Sequence, residues 1–552
     1  MQWTRRRLAQ ASFAALAAGC SRSAATSQAL IVHGGTIYTG VASTPTAEAL
    51  RIEGNRIAAI GTLADVRTAG ARVLDLHGGT ALPGFVDSHV HLTEVGLQAM
   101  SLNLVGTASV VDLQQRLRAY AAQHATGPIQ GGGWIETHWP EHRFPRAADL
   151  DAVVSDRPVV LWRADGHAVV ANSAGLALGG IDARTPDPQG GRIERDGHGA
   201  VTGMLIDNAQ GLVTSRLPAP TRAQVREALK QAAQLYASRG WVGVANMSTS
   251  AQDAELFAEL GSSGEMPLFV DLFMTPEAAD PVLAQGQIVH NARLVTRGVK
   301  LYMDGALGSR GAALLAPYSD APGTGLLVTP IETMRAIMQR AKAVDAQVTT
   351  HAIGDRGNRM VLDAYRDTFG PAAEQLRGAR WRIEHAQILS PQDIPRFGQM
   401  GVIASMQPSH CISDMYFAPA RLGEARLAGA YAWKALLDSG AVICGGTDAP
   451  VEKGDPLIEY YAAVYRHSLD GFAAPDWHLE NAVSRAQALA MFTTGAAYAC
   501  RDEAARGTLA VGMRAHVSAF SVDLMTAEPA QIPTATPVLT ISDGVVTHQA
   551  AA

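Results

Sequence analysis

Two histidines, His89 and His91, stand one residue apart at the end of an apolar segment. Alternate residues of a β-strand point to the same face, so both imidazoles can reach one metal ion. Imidazole and carboxylate ligands suit a divalent ion of the zinc type, and a catalytic site of this kind keeps one position open for water. Because histidine pairs of this spacing also occur on ordinary surfaces and in cores, the pair alone does not establish a metal site.

Four further polar residues occupy comparable positions in later apolar segments. His351, His385 and Asp448 each close such a segment, and Lys300 lies inside one, where an unpaired ammonium would be costly to bury. The alternative roles are a hydrogen-bonded core histidine in the first two cases and a salt bridge to Asp304 for the lysine. The recurrence of such residues at the ends of successive strands favours one shared metal centre.

The segments that carry these residues alternate with helical stretches such as 222–238 and 331–344. Polar residues at the carboxyl ends of successive strands are typical of a (β/α)8 barrel, whose active site is assembled at that end. We therefore predict an α/β fold with a TIM-like barrel over residues 83–499. The turn-rich sequence at about 131–208 exceeds what the barrel needs, and it predicts a large insertion over the barrel mouth.

Short strands at both ends of the chain predict a second, smaller domain. An apolar strand, a Gly-Asn turn and a second apolar strand form a hairpin at 49–60, and similar strands recur at 515–520 and 538–546. We predict a small β-sandwich that residues 28–82 and 500–552 build together. Two separate β decorations are the alternative.

Residues 1–27 have the pattern of an export signal. The run TRRRL at 4–8 is of the twin-arginine type, and the apolar stretch at 11–18 is too short to span a bilayer. The stretch ends at Cys20 in a sequence that resembles a bacterial lipobox, in which the cysteine becomes lipidated. We therefore expect an exported protein, either periplasmic or attached to the membrane through Cys20. An ordinary cleaved signal with an incidental cysteine is the alternative.

The composition limits which molecules the protein is expected to bind and which residue types could hold a metal. The chain of 552 residues has a formal net charge of −6, which gives no reason to expect nucleic acid, and a small, roughly neutral molecule is the expected partner. Its four cysteines have no paired spacing that would hold zinc or form a disulfide framework. Any metal must therefore be held by histidine and carboxylate-type ligands.

Six motifs carry a specific resemblance to a known family. The chain resembles the amidohydrolase superfamily, and within it amidohydrolase family 3, the branch of YtcJ-like and N-substituted formamide deformylase-like proteins. The resemblance covers essentially all of the chain after the signal segment. The motifs are LPGFVDSHVH (82–91), DGHAVVANS (165–173), KLYMDGALGSR (300–310), HAIGD (351–355), RIEH (382–385) and GTDAP (446–450).

The resemblance implies a metal-dependent hydrolase with one or two divalent ions, and zinc is the expected metal. The implied ligands are His89, His91 and Asp448 for one ion, and His351 and His385 for a second. Lys300 would bridge the two ions after reacting with carbon dioxide, because the resulting carbamate is an anion whereas a protonated lysine cannot bind metal. Some members of the superfamily work with one ion. A homodimer is expected from the family alone.

The implied activity is hydrolysis of a carbon–nitrogen bond in an amide-like substrate, such as an N-substituted formamide or an N-acylated amine or amino acid. A metal-activated hydroxide would attack a carbonyl that the metal also polarises. Asp448 would be the catalytic residue that takes the proton from the water and passes it to the leaving amine. The alternatives are an ester, lactone or organophosphate hydrolase with the same metal site, and a non-enzymatic exported lipoprotein that binds a solute or a metal.

Specificity is expected to come from the insertion and the barrel loops. As the lining of a pocket, an aromatic wall and a few polar groups would fix the orientation of the substrate. The candidates are Trp134, Glu136, Arg163, Asp165, His167, Asp304 and Arg310. Ordinary turn and packing roles are the alternative for all of them.

Overall fold

The structure is a computed structural model that describes residues 28–551, except 371, 372 and 476. The predicted export signal and Cys20 therefore lie outside the described residues. In the part that is described, no helix combines the length and the apolar character that crossing a membrane requires.

The described residues form a barrel of eight parallel strands, each of which pairs with the next along the chain. An added strand, Ile288–Asn291, runs antiparallel to the fourth. The predicted α/β fold and TIM-like barrel are thus confirmed. The barrel strands are β1 (Phe85–Val90), β2 (Trp241–Thr249), β3 (Phe269–Met274), β4 (Leu294–Tyr302), β5 (Gln347–Ala352), β6 (Arg382–His385), β7 (Ile403–Met406) and β8 (Ile443–Gly445).

Side chains and loop backbone join β8 to β1. The Asp87 carboxylate accepts hydrogen bonds from the backbone N–H of Thr447 at 2.9 Å and from its hydroxyl at 2.6 Å. The backbone N–H of Asp448 donates to the carbonyl of His89 at 2.7 Å. Gly446 makes this approach possible, because a Cβ at that position would lie 2.5 Å from the backbone nitrogen of His89. The closure therefore brings the first predicted ligand segment against the last.

Helices cover the outside of the barrel, each with an apolar face turned inward. The longest, Arg222–Ser238, begins at a capping box of Thr221 and Gln224 and buries Val225 and Leu229. Truncating such a leucine to alanine costs about 2–5 kcal/mol. The other helices after barrel strands include Leu92–Ala99, Ala251–Ser263, Asp280–Gln285, Ile331–Ala343, Asp355–Phe369, Ala373–Ala379, Ile394–Met400, Pro408–Asp414, Ala418–Leu422, Glu424–Leu427, Trp433–Asp438, Pro456–Tyr465, Arg485–Phe492 and Thr494–Ala499.

The insertion has a sheet and an apolar core of its own. The sheet begins at Leu102, earlier than the sequence indicated, because its first strand and the helix after it have the pattern of a barrel βα unit. Its strands, in spatial order, are Gly191–Arg195, Val201–Asp207, Ala168–Ala171, Val159–Arg163, Ile129–Trp134 and Leu102–Asn103. Its helices include Val110–Gln123, Ala147–Asp151, Ser173–Gly179 and Gly211–Thr214.

Both ends of the described chain form a β-sandwich, as predicted. One sheet has the order Arg56–Gly61, Ala49–Glu53, Leu30–His33, Arg72–Asp75. The other has the order Val545–Gln549, Pro537–Ser542, Val517–Phe520, Thr80–Pro83, Thr36–Tyr38, Thr46–Ala47. Leu50 and Ile52 of the first sheet share a core with Val517 and Ile541 of the second. The strand Thr80–Pro83 leads into β1, so the sandwich supports the strand that carries His89.

Candidate metal centre

The carboxyl ends of β1, β6 and β8 bring three buried side chains together. One ligand atom each from His89, His385 and Asp448 lies within 4.8 Å of the others. Oδ1 of Asp448 is 3.2 Å from Nε2 of His89 and 3.3 Å from Nε2 of His91. Ligands bound to one zinc-type ion at about 2 Å are separated by similar distances. The structure therefore brings the predicted ligands of the first ion to one point.

Lys300 projects from β4 into the same cluster. Its side chain is fully buried, and its Nζ lies 3.2 Å from Nε2 of His89. Burial lowers the pKa of this ammonium to about 8, although Glu384 and Asp448 oppose the shift. A lysine with a lowered pKa is more often the neutral amine, which is the form that reacts as a nucleophile. Lys300 is thus a buried lysine of lowered pKa in contact with the cluster.

His351 and His385 occupy the other side of the cluster, with ring centroids 4.5 Å apart. Nδ1 of His385 donates to Oε1 of Gln407 at 2.8 Å, which leaves Nε2 available. Nε2 of His351 is buried, lies 3.7 Å from Oδ1 of Asp304 and makes no hydrogen bond among the described residues. Burial lowers the pKa of both histidines well below the usual range, which favours the neutral imidazole that binds metal. The unpaired nitrogen and the neutral donor set both fit a metal ion.

A buried acid holds His89 in place. Oε2 of Glu384 accepts a hydrogen bond from Nδ1 of His89 at 2.6 Å, and Oε1 lies 3.1 Å from Nε of Arg382. The hydroxyl of Thr349 also donates to Oε1. Burial alone would raise the pKa of Glu384, but Arg382 and His89 outweigh it and hold the pKa well below its usual value. The ionised carboxylate fixes the imidazole tautomer, so that Nε2 of His89 faces the cluster.

Two of the ligand residues have a left-handed backbone. His385 has a φ of 71° and Asp448 a φ of 56°, a region that residues other than glycine adopt at a cost. Burial would raise the pKa of the Asp448 carboxyl, but His89 and His91 outweigh burial and hold it well below the usual range. Asp448 is therefore an ionised carboxylate, as both a metal ligand and a proton acceptor must be.

The insertion places His167 beside the cluster. Its ring centroid is 5.0 Å from that of His351, and its Nδ1 lies 2.7 Å from Oδ1 of Asp207. Burial would lower the pKa of His167, but the hydrogen bond and the charge of Asp207 raise it overall. Because the side chain stays 18% exposed, it can contact a molecule in the barrel mouth. The substrate contact of His167 stays a prediction.

Glu136, Arg163 and Asp165 form an ion-pair group next to His167. Arg163 is buried, and it contacts Glu136 at 2.9 Å and Asp165 at 2.6 Å. Its guanidinium packs on Gly308, in the loop after β4, where an added Cβ would lie 2.7 Å from Nη1. The group therefore docks the insertion onto the barrel. Glu136 is occupied by this pairing.

Three other predicted pocket residues have packing or turn roles. Trp134 lies in the core of the insertion, where its indole N–H donates to the carbonyl of Leu161 at 3.0 Å, so it forms no wall of the barrel mouth. The Asp304 carboxylate accepts hydrogen bonds from the backbone of the loop after β4 and of the segment after β5. Arg310 pairs with Asp320 at 2.9 Å. The sequence could not separate these roles from substrate contacts.

Besides Glu384 and Gln407, two further residues near the cluster were not predicted. His410, in the helix after β7, places Nε2 3.7 Å from Oδ2 of Asp448. Tyr302 is partly exposed, and its ring centroid lies 5.3 Å from that of His351. Tyr302 follows Lys300 by two residues, so strand alternation could have placed both on one face. His410 is on a helix, where no comparable periodic signal marked it.

The barrel and its cluster of histidines, lysine and aspartate define a metal-dependent hydrolase of the TIM-barrel type. The chain belongs to the amidohydrolase family, whose family 3 sequence model matches residues 72–548. It is 32% identical over 513 residues to the YtcJ amidohydrolase of Bacillus subtilis, covering 91% of this chain and 96% of that protein. It is 27% identical over 547 residues to the N-substituted formamide deformylase of Arthrobacter pascens, covering 94% and 98%.

A solved structure agrees with this family. A metal-dependent hydrolase of Pyrococcus horikoshii superimposes with a TM-score of 0.74 at 28% identity, covering 92% of this chain and all of that one. The sequence-based expectations of the family and of a metal-dependent hydrolase are both confirmed.

Proposed function

We propose that this amidohydrolase cleaves the carbon–nitrogen bond of a small amide-like molecule. The proposed substrates are N-substituted formamides and N-acylated amines or amino acids. The observation that carries the proposal is the meeting of the ionised Asp448 carboxylate with His89 and His91 at the barrel mouth. The name of the Arthrobacter pascens relative supports the choice of an amide over an ester.

The proposed ligands fall into two groups, one for each ion. His89, His91 and Asp448 would hold one divalent ion, zinc being the proposed metal, and His351 and His385 a second. Lys300, whose Nζ is 3.2 Å from Nε2 of His89, would bridge the two groups as a carbamate. When bound, a divalent ion lowers the pKa of water and polarises a carbonyl.

The protein groups supply proton transfer and orientation. Asp448 accepts the proton of the attacking water and delivers it to the leaving nitrogen, which leaves as a neutral amine. Glu384 and Gln407 hold the imidazoles of His89 and His385, so their geometry is fixed before the substrate binds. His167, whose ring lies beside that of His351, would orient the substrate.

Metal content tests the site. We would measure it by plasma mass spectrometry on the wild type, His89→Ala and Lys300→Ala, purified without added metal, with the exposed His198→Ala as the matched control. A binuclear site predicts about two ions per chain in the wild type and the control, and a loss in the other two variants.

A substrate panel then tests the reaction. Matched amides, esters, lactones and phosphotriesters are incubated with the metal-loaded protein, and the chelated protein is the control. Faster cleavage of an ester, lactone or phosphotriester than of every amide would favour that alternative activity. A wild type that holds no metal and stays inert after zinc is added would contradict the hydrolase proposal and favour a binding lipoprotein.

We also propose that the protein is exported and that it forms a homodimer. The twin-arginine pattern and the lipobox-like segment support export to the periplasm, with or without a lipid on Cys20. Labelled palmitate incorporation into the wild type but not into Cys20→Ala would support the anchor, and a soluble periplasmic protein without label would contradict it. A homodimer is proposed from the family alone, and light scattering of the purified protein tests it.

A further inference from the structure

His410 is a buried imidazole next to the proposed metal ligands. It is the third residue of the helix Pro408–Asp414, and its ring stacks on that of His385 with a centroid distance of 5.7 Å and an angle of 17°. Its Nε2 is buried and has no hydrogen-bond partner among the residues described. Buried polar groups in proteins are nearly always hydrogen-bonded, so the position calls for a functional explanation.

The two oxygens of Asp448 have different surroundings. Oδ1 faces the ligand histidines, at 3.2 Å from His89 and 3.3 Å from His91. Oδ2 faces the opposite side, where Nε2 of His410 lies 3.7 Å away. A carboxylate only accepts hydrogen bonds, so it favours the imidazole tautomer with the hydrogen on the facing nitrogen. His410 is thus the imidazole that can engage the second oxygen.

The neighbours of His410 are tied to the segment that carries Asp448. Ser409 donates its backbone N–H to Glu459 at 3.0 Å, and its hydroxyl donates to the same carboxyl group. Ser413 donates its hydroxyl to Glu452 at 2.6 Å. Glu452 follows Asp448 by four residues, and these four anchoring groups line a cavity of about 150 Å³. The helix Pro408–Asp414 is therefore fixed, on both sides of His410, to the chain segment that follows Asp448.

We propose that His410 is a positioning residue for Asp448. Its Nε2–H faces Oδ2 across 3.7 Å, and a hydrogen bond formed by closing that gap would keep Oδ1 turned toward the ligand histidines. The remaining lone pair of Oδ2 then carries the proton between the attacking water and the leaving nitrogen. His410 itself neither gains nor loses a proton. This inference rests on the proposed hydrolase function, and it assigns His410 no role as a metal ligand.

Three variants test the inference at saturating metal. His410→Leu removes the donor, His410→Gln keeps an N–H at the end of a side chain, and His290→Leu makes the same change at an exposed histidine far from the barrel mouth. Losing an outer contact of this type lowers activity by about 10- to 100-fold. We expect that fall in kcat for His410→Leu, with KM and metal content unchanged. His410→Gln should recover most of the kcat, and His290→Leu should match the wild type.

The cobalt form gives a second readout that needs no substrate. If His410 orients Asp448, the visible absorption band of cobalt(II)-loaded His410→Leu shifts, whereas that of His290→Leu does not. An unchanged kcat and spectrum, a parallel loss of metal, or a change in KM alone would each overturn the positioning role. If the wild type hydrolyses nothing, the proposed function fails, and the cobalt spectrum still decides whether His410 orients the carboxylate.

Discussion

Glu384 and His89 form a hydrogen bond of 2.6 Å in which both side chains are completely buried. They lie 295 residues apart in the chain, at the ends of β6 and β1. The contact fixes a ligand from the first barrel strand by means of an acid from the sixth, next to His385. One strand end therefore supplies both a proposed ligand and the support of another proposed ligand.

The Glu384→Gln variant tests this support. The amide keeps the shape but loses the charge that favours Nδ1–H of His89, so we expect metal affinity to fall by about 10- to 100-fold. Competitive titration with a chelating indicator measures the affinity. Glu374→Gln changes an exposed glutamate and is the control. Equal affinities in the two variants would contradict the supporting role.

The Asp448→Asn variant tests proton transfer. The amide oxygen can still face the metal, but the side chain can no longer accept the proton, so we expect kcat to fall by roughly 10²- to 10⁴-fold. KM should stay within a few-fold of the wild type. Steady-state kinetics on the best amide of the panel measure both constants. Asp438→Asn, at an exposed ion pair with Lys434, should retain full activity.

The His167→Leu variant tests whether the insertion contributes to substrate binding. Loss of one hydrogen bond to the substrate should raise KM about tenfold, which corresponds to about 1.4 kcal/mol. Metal content should stay constant, because no metal ligand is changed. His198→Leu makes the same substitution at an exposed position of the insertion and is the control. An unchanged KM would leave His167 with a packing role.

Glu452 links stability to pH. Burial raises the pKa of its carboxyl from 4.5 to about 8. The folded state therefore binds more protons than the unfolded state between these values, and this group makes the protein less stable as pH rises through them. Glu452→Gln removes that dependence, so we expect its stability relative to the wild type to be about 4 kcal/mol greater at pH 8 than at pH 4.5.

Urea unfolding of the metal-free protein at both pH values measures the difference. Glu424→Gln, at an exposed glutamate, should show none. If the gain of Glu452→Gln were equal at the two pH values, titration of the carboxyl would not be its cause.

The barrel, and the meeting of the predicted ligand residues at its mouth, could be predicted because they follow repeating patterns. The apolar segments that end in His89, His351 and His385 indicated parallel strands whose carboxyl ends lie side by side. The insertion was harder to delimit, since the helix Val110–Gln123 has the same amphipathic pattern as a barrel helix and only tertiary pairing separates them. A sequence pattern predicts whether a segment is a helix or a strand more reliably than it predicts which sheet that segment packs against or joins.

The pocket residues could not be predicted with the same success, because burial and partner choice depend on the assembled fold. Trp134 looked like an aromatic wall, yet its strand pairs inside the insertion and turns the ring into that core. No sequence pattern marked His410, because its proposed role depends on the oxygen of Asp448 that it faces. In both cases the decisive neighbour is distant in the chain.

The closure between Asp87 and Thr447 determines when the metal centre can form during synthesis. These residues are 360 positions apart, and the strand that leads into β1 is itself paired with Val517–Phe520. A ribosome-bound chain that lacks β8 has His89 and His91 but no Asp448 to complete the cluster. Under the proposed ligand assignment, metal acquisition would therefore follow the synthesis of β8, and a product terminated before β8 would lack the full proposed ligand set.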